Sequence, residues 1–256
     1  MPGVWPEELL DFAFLPEVND RLAELAGEAE KEDWEYHRTP SPHPRPVLYN
    51  YVRQTYHRLA EEGKIALSRD GQFACFNTGL VSDSQEQIFA SFEVNRQPGR
   101  QSWFFKGWFR KGRWELNKFD QLPDMAHYFD DPSCLVFDCR KELRVNIEHI
   151  VEDNKSRFPA PYSTMDNYML QTFLKGAIDN AKDRVRRSYK TAIPQYYNGY
   201  VQLLLPLCLT SPSQADLAVT IERHEMFYRA ATCITLDMAY NNARQITKQE
   251  RDWLQP

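Results

Sequence analysis

The densest mixture of chemically capable side chains lies in two stretches, residues 189–209 and 234–246. The second contains Leu236, Ala239, Ala243 and Ile246, the apolar stripe of a helix. On another face of that helix Asp237, Asn241 and Arg244 recur at i, i+4 and i+7, with Tyr240 nearby. A guanidinium offers a planar fork to a phosphate, and an amide pairs both donor and acceptor with a base edge. The same face would also serve as a docked polar surface paired to backbone groups. The first stretch reads Tyr189-Lys190, then Ile193-Pro194-Gln195-Tyr196-Tyr197. Proline stops any helix near Ile193. Lys190, Gln195, Tyr196 and Tyr197 are thus expected in a loop before a buried strand, where phenol rings can stack on bases and an ammonium can meet phosphate. The cations before that loop equally suit the C-terminal dipole of a helix. Gln202 sits inside the apolar run from Tyr200 to Leu209, sharing a strand face with Tyr200 and Leu204. Its buried amide needs partners or points into the same pocket.

Weaker signals lie elsewhere. Asn77, within Phe76-Asn77-Thr78-Gly79-Leu80, ends an expected strand and could turn a ligand-binding corner. His149, Glu152 and Asp153 have helical spacing, but no second ligand motif accompanies them, so no metal is expected. His149 and Asp237 are the candidates for proton transfer if chemistry occurs, and Arg157 adds a cation. Residues 103–113 interleave aromatics with Lys106, Arg110, Lys111 and Arg113. This composition suits a nucleic-acid face, and suits still better a strand that packs alternate rings inward. No P-loop, Rossmann glycine pattern or GxSxG occurs, so a nucleotide cofactor held in those ways is not expected.

Elements must position these groups. Residues 6–34 carry three- and four-residue apolar spacing broken at Pro16, which predicts two helices. Pro40, Pro42, Pro44 and Pro46 imply an extended strap and a boundary, leaving residues 1–46 as a helical segment with strap and 47–256 as one α+β domain. A helix follows over 47–62, stopped by Gly63. Residues 64–68 and 73–77 read as a hairpin around Asp70-Gly71. Further strands are expected over 88–94, 103–109, 135–137, 200–209, 216–222 and 230–235, with a short helix or turn over 122–129. Pro206 should lie at a bulge or edge. The longest helix is expected over 165–189 and the last over 236–246. The fold class is α+β, a mixed or largely antiparallel sheet flanked by helices.

Bulk composition limits partners. The chain has 256 residues, 42 % hydrophobic and 13 % aromatic, enough for a sizeable core. A net charge of −5 argues against a global polyanion field and for a small local site. Five cysteines without CxxC spacing, and a start without basic and apolar leader regions, suggest free thiols and a cytoplasmic location. No apolar run approaches a membrane span.

Four motifs occur in order: Phe76 to Leu80, Tyr189 to Tyr197, Gln202-Leu203-Leu204-Leu205-Pro206-Leu207, and Asp237 to Arg244. Together they resemble the domain-of-unknown-function family 3825, over roughly residues 47–254. Members of that family sometimes adjoin cold-shock or LOTUS-type RNA-binding domains, which implies an RNA-related role and carries no activity. Gln245 departs from the more apolar residue expected there. The resulting expectation is an RNA- or nucleotide-linked domain with a phosphate/base pocket, extending to processing of phosphodiester or phosphate groups. The alternatives are a non-catalytic RNA or nucleotide binder, and a protein-interaction domain with a structural polar network.

Overall fold

The computed structural model describes residues 5–248. The outer ends of the two expected segments, residues 1–4 and 249–256, lie outside the described residues. The chain is α+β, and its contacts gather into two compact units, 1–127 and 128–256.

The first unit contains α1 (Leu9–Phe12), β1 (Ala13–Phe14), α2 (Val18–Glu28), α3 (Pro46–Glu61), β2 (Ala66–Leu67), β3 (Phe73–Val81), β4 (Gln87–Val94) and β5 (Trp103–Arg110). Its five strands run in the order β1-β5-β4-β3-β2. β1 joins β5 in parallel, and the other pairs are antiparallel. Pro16 does separate α1 from α2, but the chain between them enters the sheet. Two residues are too few to show period-2 patterning, so β1 carries no sequence signal. Aromatic rings fill the core: Phe12 meets Tyr56, Phe92 and Trp103, and Phe76 stacks on Phe92. Each such ring, fully buried, contributes on the order of 2–3 kcal/mol.

The second unit contains β6 (Glu142–Val145), α4 (Ile147–Asn154), α5 (Asn167–Arg187), β7 (Ile193–Tyr197), β8 (Tyr200–Leu207), β9 (Leu217–Arg223), β10 (Phe227–Thr235) and α6 (Leu236–Ala243). The strand order is β6-β10-β9-β8-β7, again with the first strand parallel to the last and an antiparallel meander beyond it. One sheet face packs on α4 and α5: Leu203, Leu205, Leu207, Val219 and Ile221 meet Ile150, Leu170, Leu174 and Ile178. The other face is covered at one end by α6, where Leu204, Ala218 and Ile234 meet Ala239 and Ala243.

Several expectations change here. Residues 122–129 form neither helix nor strand, and a 3-10 turn at Pro132–Leu135 replaces the strand expected over 135–137. Residues 193–197 are a strand, not a loop, because Asn198 and Gly199 adopt φ of 50° and 84° and close a two-residue hairpin. Pro194 is tolerated since β7 lies at the sheet edge. Pro206 lies past the last β7–β8 pair, Ile193↔Leu204, so it interrupts no pairing on that side. The 103–109 strand packs Trp103 and Phe105 inward while Lys106 and Arg110 pair with Glu93 and Glu28 outside.

A candidate base-binding cleft on the second sheet

The β7–β8 hairpin sets the site. Its turn places Gln195 opposite Gln202. Gln195 is fully buried, and its Nε2 donates to Gln202 Oε1 at 2.8 Å. Asn242 Nδ2 of α6 donates to Gln195 Oε1 at 3.2 Å. Three amides thus run head to tail, each fixing the next. The chain leaves Gln202 Nε2 as its terminal donor, without a hydrogen-bond partner among the described residues.

Gln202 lines a cleft of about 670 Å³ with Tyr128, Phe129, Asp130, Asp131, Cys134, Tyr200, Glu222, Arg223 and His224. Continuing the Leu203↔Ile221 register puts Gln202 beside Glu222, and Glu222 pairs in register with Arg229, which pairs with Arg144. One polar row therefore crosses the sheet on the same face as α6, beyond the end that α6 covers. The Glu222 carboxylate makes no ion pair among the described residues. Around the rim, His224 stacks on Phe227 (4.6 Å, 14°), and the Arg144 guanidinium lies 4.0 Å from the same ring. Tyr128 packs edge-on against Tyr196 at 4.8 Å and donates through its hydroxyl to Gln245 Oε1 at 3.0 Å. Tyr200 is 73 % exposed. Arg223 bonds Ser133 Oγ at 3.2 Å, and Ser133 is held by Asp131. Desolvation, with Asp131 beside it, pushes the Cys134 thiol up, so it is neutral at ordinary pH.

The expected site residues divide. Gln195, Gln202 and Tyr196 belong to the cleft or its support. Tyr197 pairs across from Tyr200 at the hairpin end and is half-exposed. Lys190 is exposed in the 3-10 turn Tyr189–Thr191. Asp237, Asn241 and Arg244 are only 7, 7 and 8 % exposed, so this face of α6 is buried as well as its apolar stripe. Asn241 Oδ1 and Gln245 Nε2 are buried without a hydrogen-bond partner among the described residues. Tyr240 is half-buried.

Arg157 braces α4 against the sheet, donating to Asn154 Oδ1 and to the Cys233 carbonyl, both at 2.5 Å. His149 lies on the outer surface of α4, 3.2 Å from Asp153. Among the described residues no three His, Cys, Asp or Glu side chains converge as metal ligands. Asn77 lies in the first unit, where it shapes a bulge in β3: its Oδ1 accepts from Gly79 N at 2.9 Å and its Nδ2 donates to the Pro123 carbonyl at 3.4 Å. Tyr128, Tyr200, Glu222 and His224 escaped sequence reasoning. The Asn198-Gly199 turn was the available signal for Tyr200, since it fixes the β7–β8 register; Glu222 and His224 are set by the β8–β9 pairing instead.

The fold is thus an α+β architecture with two mixed five-stranded sheets, the second bearing a polar cleft at the end free of α6. The chain belongs to the family described as a domain of unknown function, DUF3825, whose model matches residues 25–253. The match begins inside α2 and so takes in the proline strap as well as the four motifs. No curated protein and no solved structure matches the chain. No helix among the described residues is long and apolar enough to cross a membrane.

Proposed function

We propose that the second unit binds an unpaired nucleobase, in RNA or in a free nucleotide, in the cleft over Gln202. The observation that carries this reading is the oriented amide chain Asn242–Gln195–Gln202, which ends in a donor at the cleft. A preorganised donor beside ring-bearing walls suits a flat ligand with a hydrogen-bonding edge. His224, Tyr128 and Tyr200 supply faces on which a base can stack, an interaction worth ~1–3 kcal/mol per base. Asp130, Asp131 and Glu222 line the same cleft and disfavour phosphate inside it, so the base enters and the sugar-phosphate stays outside. The reading is one of binding, since neither His149 nor Asp237 lines the cleft. Fluorescence anisotropy with labelled single-stranded RNA tests it: Tyr200→Ala should weaken binding about fivefold to a hundredfold at unchanged Tm.

A second reading is favoured by the burial of Asp237, Asn241 and Arg244. In it the polar face of α6 fixes the fold of a protein-interaction domain. Arg244→Ala would then lower Tm by several degrees whether or not any nucleotide binds.

A further inference from the structure

Resting on that base-binding reading, we propose that the cleft selects guanine among the bases. Gln202 and Glu222 stand on neighbouring strands, side by side on one face, roughly 4.8 Å apart. The amide chain engages Gln202 Oε1 and so leaves its Nε2 as the donor. Glu222 offers only acceptors when ionised, and it has no ion-pair partner among the described residues. A donor flanked by a bidentate acceptor complements an edge with one acceptor next to two parallel N–H groups.

Guanine alone of the four common bases has that edge: O6 meets the Gln202 amide, while N1–H and the 2-amino group meet the two Glu222 oxygens. Adenine and cytosine offer the carboxylate only the exocyclic amine. Uracil offers one N–H flanked by carbonyls, and the second carbonyl is set against the carboxylate. Guanine thus gains one further hydrogen bond to a charged group, equivalent to about a tenfold margin or more.

Calorimetric titration of the intact chain with the 5′-monophosphates of guanosine, inosine, adenosine, cytidine and uridine tests the assignment, repeated on Glu222→Gln. The guanosine nucleotide should bind about tenfold more tightly than those of adenosine, cytidine and uridine. Inosine, which lacks the 2-amino group, should lose most of that margin, and Glu222→Gln should abolish it at unchanged Tm. Equal affinities, or a margin that survives in Glu222→Gln, overturn guanine selection and leave base binding standing. No binding by any of the five overturns the base-binding reading and this inference with it. The inosine arm needs no variant, so the test survives even if Glu222→Gln fails to fold.

Discussion

Gly79 shows how a single residue decides between a functional and a structural reading of a motif. Its φ is +73°, and a Cβ there would lie 2.7 Å from the Tyr51 hydroxyl oxygen. Asn77 and Thr78 bond across the same bulge, to Gly79 N and to the Ile88 carbonyl. The motif that suggested a ligand-binding corner therefore builds a kink in β3. Gly79→Ala should cost about 1–3 kcal/mol from backbone strain and the clash together, read as a lower midpoint in urea. Cysteines give a second prediction at this scale. Burial pushes the Cys75 and Cys233 thiols up to about 12, well above the range of an unfolded thiol. Each stays neutral when folded while its unfolded counterpart ionises. Their stabilisation is therefore complete below about pH 8.5 and is lost as pH rises towards 12. In a thiol-labelling assay at pH 8, exposed Cys139 should react first and Cys75 and Cys233 only on unfolding.

Elements differed in how far they could be read from the chain. Helices α3 and α5 are long enough for an apolar stripe to repeat, and both lie within a few residues of their expected bounds. Strands β3, β4, β5, β8, β9 and β10 carry enough β-branched and aromatic residues to be seen. β1 and β6 do not, being two and four residues long and anchored by parallel pairing to distant strands. The β7–β8 hairpin was hidden by Pro194, which reads as a helix stop before it reads as an edge-strand residue. The hairpin matters most to the site, because its register alone sets Gln195 against Gln202. Inserting one residue between Asn198 and Gly199 should slip the edge strand β7 against β8, which β9 and the core leucines hold in place, and so part Gln195 from Gln202. The expected result is loss of nucleotide binding with far-UV circular dichroism nearly unchanged.

At the scale of the whole molecule, both units use one strand order, first-last and then a reversed meander, with two helices between the first strand and the second. No repeat is visible in the residues, because period-2 alternation constrains polarity and leaves identity free. The units differ at the open sheet end. In the second, the row from Gln202 to Arg144 stays uncovered by α6, and the candidate site was only partly legible because the cleft joins the 128–134 loop to β8 and β9, some 70 residues on. Hydrogen exchange should show two separately protected centres, β4 in the first sheet and β9 in the second, with the edge strands β2 and β6 exchanging early. With a net charge of −5 and an acid-lined cleft, binding should depend only weakly on salt.

The central claim is that the amide chain ending at Gln202 reads a base. Titrating the intact protein with guanosine monophosphate, beside Gln202→Ala of matched Tm, tests it most directly. Saturable binding that weakens about tenfold or more in the variant is the predicted result. Wild-type protein that no ribonucleotide saturates, or a variant that binds as tightly as wild type, would contradict it.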